Sequence, residues 1–479
     1  MAKFYITTAI DYVNSDPHVG HLYQKVIADA LARWHKSIGE DVFFLTGTDE
    51  HGQKIFNAAK EQKLTPQKLA DKNSREFKKS WDLLNIKPSR FIRTTDEDHI
   101  KTAQEITKLI YKKGDIYKGV YEGLYCEGCE AYLTEKDLVN GECPYHKKIP
   151  QKLKEESYFF KLSKYQKKLL NHYKKNPNFI LPKKRKNEII NRVKEDLKDL
   201  SITRTSFNWG IPFPIDKTHI IYVWWEALMS YLSGVNYPKS RYWPADIHLL
   251  GKDNGWFHAV IWPAMLMSAG IELPKTVFIH GFLTFNKQKI SKSLGNVISP
   301  KIMEKKYGAD AIRYFLVREI PFYDDGDFSE KALINRINNE LANELGNLIS
   351  RTLTLCKKLP RINSYDADLE FDIEEIKKLM QEYKITEALN EIWRFVQETN
   401  KYINQKQPWT LESEELEEVL YNCLEAIRKI SILLEPFIPE TSQRIFNLLN
   451  IKNQNLATFD KHIPTYKVKP PEILFKKFN

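Results

Sequence analysis

The sequence predicts an α/β fold in which a parallel β-sheet, interrupted by an insertion, is followed by a helical domain. Three observations lead to this prediction. In the first part of the 479-residue chain, short apolar runs alternate with amphipathic stretches, as in parallel strands joined by helices. This alternation stops in a segment rich in Tyr, Gly, Cys, Lys and Glu and then resumes. In the last third, apolar residues recur at helical spacing.

Each element follows from its own pattern. In chain order, the sheet part comprises a strand at residues 4–8, a helix through 27–31, a strand at 41–46, an insertion from Gly114 to about Asn208, and strands at 246–250 and 276–280. Past Asp327, one helical face comprises Leu333, Ile337, Leu341, Leu345, Leu348 and Ile349. This pattern lasts until a tail rich in Pro and Lys, which begins at Pro464.

Composition and charge argue against membrane, secreted and disulfide-rich classes of protein. Lys and Arg number 73 against 62 for Asp and Glu, a formal charge of +11 that favours an anionic partner, although a solvated lysine-rich surface explains it equally well. No apolar run approaches the ~20 residues of a membrane span, and the first residues lack a signal or transit pattern. Five cysteines are too few for a disulfide framework in this length. We therefore expect a cytoplasmic protein without a membrane partner.

A first candidate site lies between the first strand and the first helix, at residues 17–21 with the sequence PHVGH. It puts the imidazoles of His18 and His21 at a helix N-terminus, where N–H groups and the positive end of the helix dipole favour phosphate. Gly20 would let a base or ribose approach the backbone. A loop with two incidental histidines is the alternative interpretation.

A second candidate site follows the strand at 276–280 and has the sequence KISKS at residues 289–293. Lys289, Ser291 and Lys292 could clamp a triphosphate and neutralise the charge that moves onto the leaving pyrophosphate. A basic surface turn is the alternative interpretation.

Together, and in this order, the two motifs resemble the HIGH and KMSKS signatures of class I aminoacyl-tRNA synthetases. Valine replaces the isoleucine of the first signature, and isoleucine replaces the methionine of the second. Both replacements are apolar, so each motif keeps an apolar anchor. The resemblance implies that the carboxylate of an amino acid attacks the α-phosphate of Mg-ATP, and that the resulting adenylate acylates the terminal ribose of tRNA. It assigns the transition-state phosphates to His18, His21, Lys289 and Lys292, further ATP contacts to Gly20 and Ser291, and the ATP ribose to Gly251 and Asp253.

The resemblance also gives the domains their functions. It implies a Rossmann-like catalytic domain at residues 1–114 and 211–300, an inserted connective domain with a zinc knuckle at 115–210, a stem-contact linker at 301–327, an α-helical bundle that binds the anticodon at 328–463, and a C-terminal tail at 464–479.

Aromatic residues near the strand ends indicate which amino acid is bound. A methionine pocket needs apolar walls around a polarizable thioether and an acid for the ammonium group. The motifs AIDY, TDEHG, YVWWEA and WFH resemble those of the methionine-specific synthetases. The resemblance assigns Asp49 to the ammonium group, His258 to the polar end of the pocket, and the walls to Ile10, Tyr12, Trp224, Ala227, Tyr231 and Phe257. For any single aromatic residue, core packing is the alternative.

The size of the insertion agrees with methionine. Synthetases for isoleucine, valine and leucine reject near-isosteres by only about 1–3 kcal/mol through binding, so they carry a hydrolytic editing domain. The insertion is too short to hold such a domain and a metal knuckle together. Cysteine activation, the nearest alternative, would need a smaller pocket with a thiolate-binding metal.

The insertion contains a metal-binding pattern. Cys126, Cys129, Cys143 and His146 have zinc-ribbon spacing, and three thiolates with one imidazole suit tetrahedral zinc with no open position. We therefore predict one structural Zn²⁺; a set of unmetallated buried thiols is the alternative. Cys356 and Cys423 are predicted to be core residues.

The helical domain offers groups that recognise RNA. Asn347 and Arg351 lie one turn apart, and Trp409 is predicted to begin a later helix. Amide, guanidinium and indole groups bind unstacked bases, although a capped helix with a half-buried tryptophan is the alternative. The resemblance makes them readers of the CAU anticodon, and implies L-methionine, ATP and initiator and elongator tRNA(Met) as partners. We expect a monomer, because nothing after about residue 470 resembles a dimerisation barrel.

Two other classes of protein stay open at this point. The first is another class I enzyme, either a different synthetase or a small nucleotidylyltransferase with similar histidines, and base-reading groups in the helical half argue against the latter. The second is a non-catalytic RNA-binding protein with the same fold. Intact His18, His21, Lys289 and Lys292 argue against it.

Overall fold

The computed structural model describes residues 2–126, 131–133, 135–144, 147–195, 197–285, 288–289, 299–366, 369–452 and 454–479. Its strands are β1 (Lys3–Thr8), β2 (Asp11–Tyr12), β3 (Asp41–Asp49), β4 (Arg90–Arg93), β5 (Ile116–Cys126), β6 (Ala131–Leu133), β7 (Gln151–Phe160), β8 (Ile180–Leu181), β9 (Leu200–Ser201), β10 (Thr203–Arg204), β11 (Ile220–Ile221), β12 (Ile247–Gly251), β13 (Thr276–His280), β14 (Leu283–Phe285), β15 (Gln288–Lys289), β16 (Gly326–Phe328), β17 (Ile362–Asn363) and β18 (Thr465–Tyr466).

The α-helices are α1 (Val19–Ser37), α2 (Gln53–Glu61), α3 (Pro66–Leu83), α4 (Glu97–Lys112), α5 (Gln166–Lys175), α6 (Lys183–Lys194), α7 (Val223–Ala227), α8 (Ser230–Ser233), α9 (Trp262–Ala269), α10 (Pro300–Tyr307), α11 (Ala309–Arg318), α12 (Glu330–Arg336), α13 (Asn347–Cys356), α14 (Glu374–Gln381), α15 (Ile385–Lys406), α16 (Ser413–Leu434) and α17 (Pro439–Leu448). Wider π-helical turns occupy Phe257–Ile261 and Ile337–Gly346. Within the described ranges, no helix is both long and apolar enough to cross a bilayer.

The central sheet is parallel and is buried on both faces. Its strand order is β2-β3-β1-β12-β13-β8, with β4 beside β3. Along β1, Phe4 and Ile6 face the core that includes α1, whereas Tyr5 faces a second core on the opposite side. Burial on two faces explains why these strands are almost continuously apolar. The predicted parallel α/β sheet is confirmed.

The segment between β4 and β12 builds its own antiparallel sheet, in the order β6-β5-β7-β9. Strand β8, from the same segment, instead pairs in parallel with β13, so that Ile180 lies opposite Val277 at one edge of the central sheet. The sequence does not predict this strand, because two residues are too few to show a periodicity.

The helical part begins with one unbroken helix from α12 through the π-helical turns to α13. All six residues of the predicted helical face are buried along it. A four-residue spacing overshoots one α-helical turn by about 40°, and the wider turns reduce this drift, so Leu341 and Leu345 stay on the buried side. The predicted helical domain is confirmed.

Arg313 on α11 ties the sheet to the helical part. Its side chain is fully buried, and its guanidinium contacts the Asp29 carboxylate on α1 at 2.8 Å. It also donates to the carbonyl oxygens of Leu84, Pro436 and Phe437 at 3.0, 2.8 and 2.9 Å. A buried charge is stable only when it is paired and hydrogen-bonded in this way.

We expect Arg313→Met to lower the free energy of unfolding by about 3–5 kcal/mol, because it leaves a buried carboxylate and three carbonyl oxygens short of a donor. Urea denaturation followed by circular dichroism measures the change. Arg394→Met is the matched control, since Arg394 is 54% exposed and pairs with Glu391 and Glu398 at the surface, where loss costs about 0–1 kcal/mol. Equal effects of the two substitutions would contradict the assignment.

Candidate active site

The two histidines predicted to bind phosphate form the cap of helix α1. His18 is the N-cap residue, and its Nδ1 accepts a hydrogen bond from the Gly20 N–H at 3.2 Å. The Nδ1 of His21 accepts from the His18 N–H at 3.1 Å, and the two ring centroids are 3.8 Å apart. Because both Nδ1 atoms accept, a neutral ring carries its hydrogen on Nε2. Each imidazole thus offers an N–H donor, which is the group that a phosphate oxygen requires.

Buried polar contacts fix the first turns of α1 against the sheet. The Lys25 side chain is fully buried, and its Nζ lies 2.6 Å from the Ala9 carbonyl oxygen and 2.9 Å from Asp11 Oδ2. Burial lowers the pKa of Lys25 and raises the pKa of Asp11, while their attraction opposes both shifts. Gln24 Nε2 donates to the Leu249 carbonyl oxygen at 2.7 Å. The helix therefore starts where β1 and β12 meet, the usual ligand position in such sheets.

Part of the predicted methionine set lies at the ends of β2 and β3. Tyr12 and Asp49 are paired neighbours on these strands, and Ile10 precedes β2. The Tyr12 hydroxyl donates to the His51 carbonyl oxygen at 2.7 Å. The pKa of Tyr231 is raised by burial first, and then by the carboxylates of Asp49 and Asp11. The negative charges of Asp49 and Asp11 therefore act on the Tyr231 hydroxyl.

Tyr231 and His258 form a buried pair. His258 Nδ1 lies 3.0 Å from the Asn254 carbonyl oxygen, which can only accept, so this nitrogen carries the hydrogen. The Tyr231 hydroxyl then donates to His258 Nε2 at 2.7 Å. Burial lowers the pKa of His258 to about 4, so the ring is neutral at physiological pH. His258 lies in the π-helical segment before α9, a feature that is frequent at functional sites.

An aromatic stack forms another part of the predicted pocket. The rings of Trp224 and Phe257 are parallel within 6°, with centroids 3.8 Å apart. Ala227 is buried on the same helix, α7, as Trp224. Phe257 and Asp253 together line a cavity of about 480 Å³ between the antiparallel sheet and the end of β12.

The predicted ribose residues lie directly after β12. Gly251 ends this strand, and Asp253 follows in a short turn. A Cβ on Gly251 would lie 2.9 Å from Asp253 Oδ1, so any larger residue would displace this carboxylate.

The second predicted motif is described only in part. Lys289 lies on β15, which pairs with β14 opposite Thr284, and β14 packs against α1. Ser291 and Lys292 lie outside the described residues, so the expected approach of this motif to His18 and His21 stays a prediction.

Two buried features of the site are absent from the sequence prediction. The first is the contact of His51 Nδ1 with Glu226 Oε1 at 2.8 Å. Both residues belong to the motifs TDEHG and YVWWEA, but the sequence does not predict that they meet. His280, at the end of β13, points Nδ1 to the Gly281 carbonyl oxygen at 2.7 Å, and burial lowers its pKa to about 4. Its Nε2 has no hydrogen-bond partner among the described residues. In the sequence, His280 is marked only as a polar residue at the end of an apolar strand.

Only two of the four predicted metal ligands lie within the described residues. Cys126 at the end of β5 and Cys143 are both buried. Cys129 and His146 lie outside the described ranges, and within those ranges no group of three or more His, Cys, Asp or Glu side chains is arranged to hold a metal. The zinc knuckle therefore stays a prediction.

The predicted RNA-reading residues lie on the helical part. Asn347 is exposed at the start of α13, and Arg351 Nη1 donates to Asn404 Oδ1 on α15 at 2.9 Å. A polar groove of about 430 Å³ runs beside them and is lined by Asn343, Glu344, Gln397, Asn400, Lys401, Asn404 and Gln405.

Trp409 is 46% exposed and lies in the loop between α15 and α16. The prediction that it begins a helix is wrong. Gln407 adopts a left-handed conformation with φ of 48° and ends α15, and α16 starts only at Ser413. The residue before a proline avoids the helical region, and Pro408 follows Gln407 directly.

Comparison with known families covers both parts of the chain. The model for class I tRNA synthetases (M) matches residues 4–152 and 136–353, and the model for the anticodon-binding domain of tRNA ligases matches residues 367–476. The methionine–tRNA ligase of Thermotoga maritima is 45% identical over 509 residues, covering 100% of this chain and 80% of that protein. The Brucella suis enzyme of the same name is 44% identical and covers 94% of this chain and 92% of its own.

Solved structures give the same relationship. Mycobacterium tuberculosis methionyl-tRNA synthetase in complex with methionyl-adenylate matches with a TM-score of 0.95 at 40% identity over 100% of both chains. The free form of that enzyme matches with a TM-score of 0.87 at 38% identity over 100% of this chain and 99% of its own. The chain therefore belongs to the methionyl-tRNA synthetase family of class I aminoacyl-tRNA synthetases.

Proposed function

We infer that this chain is a methionine–tRNA ligase. It activates L-methionine with Mg-ATP to methionyl-adenylate and pyrophosphate, and then transfers methionine to the 3′-terminal adenosine of tRNA(Met). The observation that carries this conclusion is the full-length relationship, because it spans the sheet with its histidines and the helical part together. A nucleotidylyltransferase would need only the first of these parts.

We propose that His18 and His21 stabilise the phosphates of ATP as negative charge develops on them. Their Nε2–H groups are donors held by the cap of α1, and such preorganised donors need no rearrangement during the reaction. Lys289, Ser291 and Lys292 complete the phosphate site in this proposal, and Gly20, Gly251 and Asp253 hold the nucleotide. The attacking group is the substrate carboxylate, so no protein nucleophile takes part.

For methionine itself, we propose that Asp49 binds the ammonium group. The charge of this carboxylate contributes to the raised pKa of Tyr231, whose hydroxyl donates to His258 Nε2. The apolar walls of the proposed pocket are Ile10, Tyr12, Trp224, Ala227 and Phe257. Stacked aromatic rings and a polarizable thioether attract each other by dispersion, which suits a methionine side chain.

ATP–pyrophosphate exchange tests the proposed activity. With each of the twenty amino acids in turn, we expect exchange with methionine and only traces with the others. Efficient exchange with another amino acid, or none with any, would overturn the proposal. Charging of tRNA(Met) transcript with radioactive methionine then tests the second step.

The same assay tests the role of His21. His21→Asn keeps a polar atom near the Nδ1 position and therefore the cap, but it removes the Nε2 donor, so we expect kcat for exchange to fall by about 10²–10³-fold with little change in the KM for methionine. His21→Gln places an amide N–H near the Nε2 position and should recover part of the rate. A fully active His21→Asn enzyme would remove His21 from the proposed phosphate site.

We propose that Asn347, Arg351 and Trp409 read the anticodon of initiator and elongator tRNA(Met). In support, Arg351 is held by Asn404 beside a polar groove, and Trp409 exposes nearly half of its surface. Exposed aromatic rings of this kind are stacking platforms for unpaired bases.

We expect Trp409→Ala to lower kcat/KM for tRNA(Met) by about 5–100-fold, because stacking of one base contributes about 1–3 kcal/mol, while ATP–pyrophosphate exchange keeps its wild-type rate. Tyr111→Ala, which removes another surface aromatic residue (37% exposed) from α4, is the control and should leave both steps intact. Equal loss of exchange and charging in Trp409→Ala would refute the anticodon assignment.

We also propose one structural Zn²⁺ bound by Cys126, Cys129, Cys143 and His146. Burial of Cys126, at the end of β5, and of Cys143 supports this donor set, since thiolates and imidazole are the preferred ligands of tetrahedral zinc. With four protein ligands the ion holds the fold of the insertion and has no open position for substrate.

Metal analysis of the purified chain should give one zinc per chain, and Cys143→Ser should reduce it below half while increasing proteolysis within residues 115–210. Cys356→Ser, in the helical core, should keep its zinc. Wild-type protein without zinc, purified in the absence of chelators, would eliminate the metal site.

We propose, finally, a monomeric enzyme that works in the cytoplasm, with the domain boundaries given by the sequence. In support, the buried thiols of Cys356 and Cys423 are not joined in a disulfide, which is the usual state of cysteines in the cytosol.

A further inference from the structure

Glu226 is a fully buried carboxylate shared by two buried histidines. Its Oε1 lies 2.8 Å from His51 Nδ1, and its Oε2 lies 2.7 Å from His99 Nε2. The other nitrogen of His99 lies 2.9 Å from Ser233 Oγ. Burial alone would raise the pKa of Glu226, but the neighbouring His51 and His99 lower it overall. Glu226 is thus an anion that accepts one N–H hydrogen bond from each of the two imidazoles.

These contacts join segments that are remote along the chain. His51 follows β3, whereas Glu226 lies on α7 beyond the antiparallel sheet, so 175 residues separate them. His99 lies on α4 and Ser233 on α8. The carboxylate, which follows the insertion, is therefore the common acceptor for two histidines that precede it.

Two of the joined segments, the one after β3 and helix α7, also carry residues of the proposed methionine pocket. Asp49 lies two residues before His51, and the Tyr12 hydroxyl donates to the His51 carbonyl oxygen at 2.7 Å. On the other side, α7 carries Trp224 and Ala227 next to Glu226. The group that binds the ammonium and the wall that holds the thioether are thus connected through one carboxylate.

We propose that Glu226, held by His51 and His99, is a positioning residue that sets the affinity for methionine by fixing Asp49 and Trp224 relative to each other. This inference rests on the proposed function of the pocket. In this proposal Glu226, which is fully buried, acts without contacting the substrate. It acts because a misplacement of about 1 Å between two binding groups weakens recognition even when both groups are present.

The first test is Glu226→Ala, compared with Glu226→Gln. We expect the alanine variant to raise the KM for methionine in ATP–pyrophosphate exchange by about 10–100-fold, with the KM for ATP unchanged within about threefold. The glutamine variant keeps the length and one acceptor oxygen, so it should recover part of the affinity.

A second pair of variants tests the link without altering Glu226. In His99→Asn the amide replaces Nδ1 and keeps the contact to Ser233, but the donor to Glu226 is lost. In His99→Gln the amide N–H takes the place of Nε2 and keeps that donor. We expect His99→Asn to raise the KM for methionine several-fold more than His99→Gln does, which a loss of general stability would not explain.

Glu425→Gln is the matched control. Glu425 is also a buried glutamate on a helix, α16, and it pairs with Arg428 at 2.7 Å. Its substitution should lower the melting temperature and leave the KM for methionine unchanged.

The outcomes separate the two proposals. Absence of methionine-dependent exchange in the wild type would overturn the proposed function and this inference with it. Normal wild-type exchange with an unchanged KM for methionine in Glu226→Ala would overturn the inference alone. If Glu226→Ala does not fold, equal KM values for the two His99 variants would overturn it.

Discussion

The parallel pairing of β1 with β12 is the constraint on which the site depends. It sets Thr8 opposite Leu249, so the loops that follow both strands meet at one edge of the sheet. The Leu249 carbonyl oxygen accepts hydrogen bonds from the Ala9 N–H at 3.1 Å and from Gln24 Nε2 at 2.7 Å. One backbone group of β12 therefore holds both the loop after β1 and the helix that carries His18 and His21. Without this pairing, the proposed nucleotide and methionine groups would belong to separate surfaces.

The histidines at this edge of the sheet differ in which ring nitrogen carries the hydrogen. When neutral, His18 and His21 carry hydrogen on Nε2, because their Nδ1 atoms accept from the helix cap. His258 and His280 carry it on Nδ1, because each faces a carbonyl oxygen there, and burial lowers the pKa of both to about 4. The first pair offers donors to an anion, whereas the second pair offers acceptors for hydroxyl groups. Residues of one type thus take opposite roles through their backbone contacts.

The helical part is joined to the sheet by shared packing and by buried polar contacts. One core runs from β1 and α1 through α11 to α16, and Arg313 binds Asp29 together with carbonyl oxygens on both sides of the junction. Such a junction resists bending, because interiors are packed as densely as organic crystals. For the proposed function, this stiffness fixes how far the proposed anticodon-reading residues lie from the proposed adenylation site.

The sequence by itself determined the class of fold, the buried face of the long helix through Leu341, and the motifs at residues 17–21 and 289–293. These properties are local, because periodicity and residue spacing act over a few turns or strands. The tertiary structure alone decided the strand β8, the loop position of Trp409 and the contact of Glu226 with His51. Those contacts join atoms whose residues are far apart in the chain or depend on one φ angle, and their energies exist only once the elements have packed.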